Sequence, residues 1–441
     1  MAQGLLCRRP AHPEPSEGTK KEAIMTGVYA RSTSYTGWTT VSIFRQFLLV
    51  FLALAAAQAQ TGRPDAFFSQ VPFDDWRAGG KQSLTHWSAD LVPPELSAFQ
   101  RIATGVKIQV DVPELPKHHA VILTEFDDAE GVVWQVHAEL GRGREFVQSE
   151  FVLPGDYSVS IAIYDPVTRK HGFMQKKLHV APLKAEPLPG AWDGLPRVEF
   201  FSAERDSPDA WYLPSIASRL RLPLQTRHRV HIDLLVNTTP SESVSDSLGE
   251  LRRNMSAVLP ALKTISQIDL TNGSMDFALL DLTRQRTTRG ANWDDIRGFF
   301  AETNPGIIDV HALDSRWKMR GFFASQLTAV PAREEAHAVI VLSGPAFFPE
   351  AEPGAKIDLP SDPLHRVFYI RCRLIPRSVL EPRPRPRPGA RPRPLRPNFF
   401  RLPLDDLEKP LESSGAMLFD VITPEQFRRV LAAVIGQISR M

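Results

Sequence analysis

The sequence predicts a multi-domain chain: an N-terminal antiparallel β-sandwich followed by a C-terminal three-layer α/β domain. Three observations carry that expectation. The chain has 441 residues, enough for two or three domains of about 150 residues each. Between about 68 and 183, six short segments alternate apolar and polar residues, with turn residues between them. From about 226 to 441, apolar strands alternate with helical periodicity. Composition agrees, with 43% hydrophobic and 23% charged residues. That balance excludes wholesale disorder, a collagen-like chain and a multi-pass membrane protein. Proline is the outlier, 38 of 441 residues against an ordinary usage of about 5%. Two cysteines, Cys7 and Cys372, are too few for a disulfide framework or a structural zinc site.

Residues 1–59 read as a leader that ends in an export signal. Phe47–Ala57 (FLLVFLALAAA) is apolar throughout, but as a helix it spans only about 16 Å, roughly half of a bilayer's hydrocarbon core. Arg45 precedes it and Ala57-Gln58-Ala59 follows it. These supply the basic n-region and the small-x-small cleavage site of a signal peptide. The expected mature protein starts at Gln60 and is exported (periplasm, cell surface or secreted), meeting a membrane only through this segment. Pro10, Pro13, Pro15 and mixed charges upstream do not suit an export signal. Translation is therefore expected to start at Met25 or near Val41, a disordered extension being the alternative. Cleavage would leave Cys372 as the only thiol.

In the sandwich region, Val106, Ile108, Val110 and Val112 share one face of the first strand. His119–Phe126, Gly131–His137 and Glu145–Leu153 follow. Pro154-Gly155-Asp156 is a turn signal, and Tyr157–Tyr164 and Gly172–Val180 complete the set. This run resembles the immunoglobulin-like or fibronectin-like modules of bacterial surface proteins. His118 and His119 are adjacent, so on a strand they would face opposite ways; they are read as loop residues, not metal ligands. Pro182, Pro187, Pro189 and Pro196 mark residues 184–225 as a linker or strap.

In the α/β region, Val230–Val236 (VHIDLLV), Met275–Leu282, Ala338–Leu342, Val367–Cys372 and Ala416–Val421 read as strands. Asp246–Lys263, Trp293–Phe300, Arg316–Leu327, Leu404–Ser413 and Pro424–Ser439 read as helices. Repeated βα units with continuous apolar strands predict a parallel sheet covered on both faces. The segment 407–429 reads LEKPLESSGAMLFDVITPEQFRR. There Thr423 is the N-cap, Pro424 the first helical residue and Gln426 the partner in a capping box.

This order of elements, and that ending above all, resembles a von Willebrand factor A-type domain, a Rossmann-like fold, over roughly 215 residues. The resemblance implies an adhesion site built by three loops at the carboxyl ends of the strands around a metal ion. It also implies a role in binding, adhesion or assembly. The first loop of the family reads Asp-x-Ser-x-Ser; this chain has Asn237-Thr238-Thr239-Pro240-Ser241. Ile307 stands where the second loop's threonine belongs, and Gly344, after Ser343, where the third loop's aspartate belongs. A hard cation such as Mg²⁺ is held by carboxylates with hydroxyls and waters, and both expected carboxylates are missing. No metal and no cofactor are therefore expected. Asn237, Thr239, Ser241, Ile307, Ser343 and Gly344 remain as a degenerate, metal-independent binding site. The alternative is structural: Asn237 ends a strand and the following run is only a loop.

Glu381–Pro397 (EPRPRPRPGARPRPLRP) is a low-complexity insertion that favours an extended polyproline II form. Arg383, Arg385, Arg387, Arg391, Arg393 and Arg396 present guanidinium groups to an anionic surface. With no aromatics between them, specific nucleic-acid binding is not expected. The near-neutral net charge of +2 is unevenly divided: residues 1–59 carry +3 and 381–401 carry +6, which leaves −7 elsewhere.

No catalytic motif is present: no Gly-x-Ser-x-Gly elbow, no His-Glu-x-x-His and no phosphate-binding loop. The expectation is a non-catalytic exported protein with an unknown protein partner. An envelope scaffold that meets anionic surfaces through its Arg-Pro loop is one alternative. A cryptic hydrolase using Ser343, with His311 or His337 beside it, is another.

Overall fold

The computed structural model describes residues 65–140, 145–201, 216–239, 258–290, 318–328, 335–346, 364–372 and 405–441. The leader, Ser241, Ile307, His311, helix residues 246–257 and 293–300, and the Arg-Pro segment lie outside these residues. The described residues all fall in one compact unit.

Eight strands form the first half: β1 (Trp87–Leu96), β2 (Ile102–Val110), β3 (Val121–Asp128), β4 (Val133–Glu139), β5 (Glu145–Val152), β6 (Gly155–Tyr164), β7 (His171–Val180) and β8 (Val198–Phe201). They make two antiparallel four-stranded sheets, in the orders β1-β2-β5-β8 and β4-β3-β6-β7. Alternation puts Ile102, Val106 and Ile108 of one sheet against Ile122, Phe126, Val159 and Ile161 of the other, in a single core. The helix α1 (Phe73–Arg77) places Phe73 and Trp76 over Val121, Leu123 and Ala162, on the outer face of the second sheet.

Two of these strands go beyond the six expected. In β1, Trp87, Ala89 and Leu91 alternate with Ser88 and Asp90, but Pro93 and Pro94 break the strand pattern. As an edge strand it tolerates proline, and its register with β2 shifts between Val92 and Glu95. β8 comes from the segment read as a strap, and pairs Val198 with Val152 of β5. His118 and His119 sit at the end of a short 3₁₀ turn, where His118 Nδ1 lies 2.9 Å from Asp165 Oδ2.

The second half holds β9 (Leu222–Leu224), β10 (Val230–Asn237), β11 (Ile268–Leu270), β12 (Gly273–Asp281), β13 (Arg286–Gly290), β14 (Ala336–Ser343), β15 (His365–Cys372) and β16 (Met417–Val421). β9 and β11 form a small parallel pair, and the other six form one sheet in the order β13-β12-β10-β14-β15-β16. Five of the six run parallel, but β13 is antiparallel to β12. This corrects the expectation of a wholly parallel sheet. The polar run Arg286-Thr-Thr-Arg-Gly carries no strand pattern, and it serves as a hairpin edge where few apolar contacts are needed.

The helices α2 (Met319–Thr328), α3 (Glu408–Ser413) and α4 (Pro424–Ile438) accompany a helical stretch at 258–265. Val258, Leu262, Phe427 and Leu431 cover one face of the sheet, against Ile232, Leu234, Ile340 and Phe368. Phe323, Leu327 and Leu411 cover the other, against Leu235, Leu280, Val341 and Tyr369. The expected capping box opens α4: Thr423 Oγ1 accepts from the Gln426 N–H at 3.3 Å, and Gln426 Oε1 accepts from the Thr423 N–H at 3.3 Å. Among the described residues, no helix is long and apolar enough to cross a membrane.

A buried clasp joins the two halves. Arg428 of α4 is 2% exposed, pairs with Glu186 at 2.8 Å and lies over the Trp192 ring at 4.8 Å. Trp192 Nε1 donates to the Gln100 carbonyl at 2.8 Å, and Gln100 Nε2 donates to the Pro424 carbonyl at 3.1 Å. A turn of the sandwich, the strap and the last helix thus share one polar network.

Candidate functional site at the strand-order reversal

Counted along the chain, the six strands stand in the order 3-2-1-4-5-6, which reverses between β10 and β14. Open α/β sheets bind ligands beyond the carboxyl ends of their strands at such a reversal. Asn237 ends β10 and Ser343 ends β14. Asn237 Nδ2 donates to Ser343 Oγ at 2.9 Å, and Asn237 Oδ1 accepts from the Thr239 N–H at 2.9 Å. The second bond is an Asx turn, which the short amide side chain forms readily. Thr239 Oγ1 accepts from the Leu282 N–H at 2.7 Å, and Ser343 Oγ donates to the Gly344 carbonyl. Asn237, Thr239 and Ser343 are all buried.

The same edge continues across β15. Arg371 holds Asp420 at 2.6 Å and Glu408 at 2.8 Å, and reaches Asp405 at 3.4 Å. The Tyr369 hydroxyl donates to Asp405, whose Oδ1 also accepts from the Leu407 N–H at 3.0 Å. Burial raises the Asp405 carboxyl, and the Tyr369, Leu407 and Arg371 contacts only partly oppose it. Burial, then the charge of Asp405, pushes the Tyr369 hydroxyl well up. Cys372 faces the other side of the sheet, where burial pushes its thiol up to about 12. A cysteine nucleophile acts as the thiolate, which burial disfavours here.

Of the predicted site residues, the structure brings together Asn237, Thr239, Ser343 and Gly344. His337 does not join them. It lies six residues before Ser343 on the same strand, roughly 20 Å away.

His337 belongs to a second polar cluster, at the amino ends of the same strands. In register across the sheet stand Ser274 of β12, His231 of β10, His337 of β14 and His365 of β15. Asp233 shares the face of His231, two residues on. His337 Nε2 lies 2.7 Å from Asp233 Oδ2, and His231 Nε2 lies 3.4 Å from both Asp233 Oδ2 and Asp276 Oδ2. His231 Nδ1 meets Ser274 Oγ at 2.8 Å. The His–x–Asp spacing of 231–233 was a signal in the sequence. The partnership with His337 was not, because it needs the lateral register of two strands about a hundred residues apart.

No family model matches the chain, and no curated protein matches it. Among solved structures, a β-glucuronidase from Bacteroides uniformis is similar at 7% identity and a TM-score of 0.15, over 58% of this chain. The match spans only 33% of that enzyme's chain, and so slight a likeness carries no argument.

Proposed function

We propose that this is a non-catalytic exported protein that binds a protein partner through a metal-independent von Willebrand factor A-like domain, beside an immunoglobulin-like sandwich. The sheet order and the capped last helix support the first resemblance. The second is supported by the Tyr157 hydroxyl, which donates to the Leu153 carbonyl at 2.8 Å, four residues upstream, as a tyrosine corner does.

The observation that carries the reading is the Asn237–Ser343 hydrogen bond. At the place where the family's metal would sit, an amide and hydroxyls bond to one another and to backbone groups. A cation there would have to break those bonds without a carboxylate from either residue. Being buried, Asn237, Thr239 and Ser343 act as the frame of the binding edge. Contact with the partner falls to the loops they hold.

The hydrolase alternative loses His337 as a base for Ser343, since that histidine sits at the far end of β14. A nucleophilic serine needs a base within hydrogen-bond reach.

Affinity capture from exported fractions, run once with Mg²⁺ and once with EDTA, tests the proposal. The same partner should be retained in both and lost with the double substitution Asn237→Ala/Thr239→Ala. Capture that EDTA abolishes would contradict it.

A further inference from the structure

We propose that His231, Asp233 and His337 bind one divalent transition-metal ion of the zinc class, stapling β10 and β14 together. This site lies at the opposite end of the sheet from the degenerate adhesion site and is independent of it.

The donor set argues first. One ligand atom from each of His231, Asp233 and His337 lies within 4.8 Å of the other two. Two imidazoles and a carboxylate are the ligand types that zinc takes in sites with three protein ligands. Hard cations prefer all-oxygen sets, so Mg²⁺ and Ca²⁺ are disfavoured.

The geometry argues second. Zinc–nitrogen and zinc–oxygen bonds of about 2.1 Å at tetrahedral angles put neighbouring ligand atoms about 3.4 Å apart. His231 Nε2 stands 3.4 Å from Asp233 Oδ2 and 3.4 Å from Asp276 Oδ2. The His337–Asp233 contact of 2.7 Å is a hydrogen bond. It must lengthen as the metal takes the place of the proton on His337 Nε2; that proton moves to Nδ1, so the ring keeps one N–H.

The surroundings argue third. His231 Nδ1 meets Ser274 Oγ at 2.8 Å, so the serine can accept the imidazole proton and leave Nε2 bare for a metal. His231, Asp233 and His337 are 1%, 3% and 2% exposed, on a sheet face that is apolar farther along. Asp276, with its side chain 45% exposed, gives the site an edge on solvent. Asp233 offsets one charge of a divalent ion directly, Asp276 adds a second negative charge 3.4 Å from His231, and the imidazoles stay neutral.

The test uses the untagged chain, dialysed against EDTA and then titrated with Zn²⁺ by calorimetry and with Co²⁺ by visible absorption. One equivalent should bind. Cobalt should give the intense bands of a tetrahedral site, without the thiolate charge-transfer band that Cys372 would add. His337→Gln keeps a donor for Asp233 and should lower affinity at least 100-fold. Ser274→Ala keeps every ligand and should lower it about 10-fold. A folded wild-type chain that binds neither metal would overturn the proposal. So would binding that is unchanged in both folded variants, since the ion would then sit elsewhere.

Discussion

At the carboxyl ends of β10 and β14, Asn237 and Ser343 bond to each other; at the amino ends of the same two strands, His231, Asp233 and His337 gather around one carboxylate oxygen. Both clusters are buried, and both join adjacent strands. They differ in charge and in donor type. The carboxyl-end pair is neutral and is satisfied by the Thr239 N–H and the Gly344 carbonyl. The amino-end group holds two imidazole nitrogens and a carboxylate, with a second carboxylate 3.4 Å from His231. Fold topology nominates the carboxyl end as the place for a ligand, while the chemistry of the donors nominates the amino end for a metal. Location on a fold and capacity for a given chemistry are separate properties.

The comparison breaks first at Asp233. Asp233→Ala leaves two buried imidazoles without the oxygen they share. It should cost about 1–3 kcal/mol for each ring nitrogen left unsatisfied, measured by urea unfolding. At the other end, Asn237→Ala strands the Thr239 N–H and removes the donor to Ser343 Oγ. It should cost about 1–3 kcal/mol and leave zinc affinity unchanged.

Glu150 sharpens the contrast from within the sandwich, where a carboxylate is buried with no hydrogen-bond partner among the described residues. It is 0% exposed, and burial pushes its carboxyl well up. The folded state then holds a proton that the unfolded state gives up. Its contribution to stability is full below the ordinary glutamate value and is lost as pH rises toward the raised one. The slope is at most about 1.4 kcal/mol per pH unit, and Glu150→Gln should remove it from the pH dependence of unfolding.

Asp165 titrates in the opposite sense. Burial opposes its ionisation, but hydrogen bonds from Thr168, His118 and the Val167 N–H outweigh this and lower the carboxyl to about 2. Its contribution is present above the ordinary aspartate value and lost as pH falls through about 2, so the two pH windows stay apart. The smallest effect is expected at Thr423, the cap of α4 at the carboxyl end. Thr423→Ala should cost about 1 kcal/mol without changing the binding of metal or partner.

Much of this architecture could be read along the chain. β6 and β10 declare themselves by alternation and by an unbroken apolar run, and the α4 cap is written in Thr423-Pro424-Glu425-Gln426. What escaped has physical reasons. β1 carries two prolines that only an edge position accommodates, and β13 is polar because it closes an edge. Asn237 and Ser343 were legible as strand ends. Their contact, the Arg371–Asp405–Asp420 network and the His231–His337 pairing depend on which strands lie side by side, which periodicity along one strand does not encode.

Diffraction from zinc-loaded crystals, recorded on both sides of the zinc absorption edge, tests the contrast between the two ends most directly. A single anomalous peak among His231, Asp233 and His337, with none beside Asn237 and Ser343, is the result expected. A peak at Asn237 and Ser343, or no peak in the sheet at all, would contradict it.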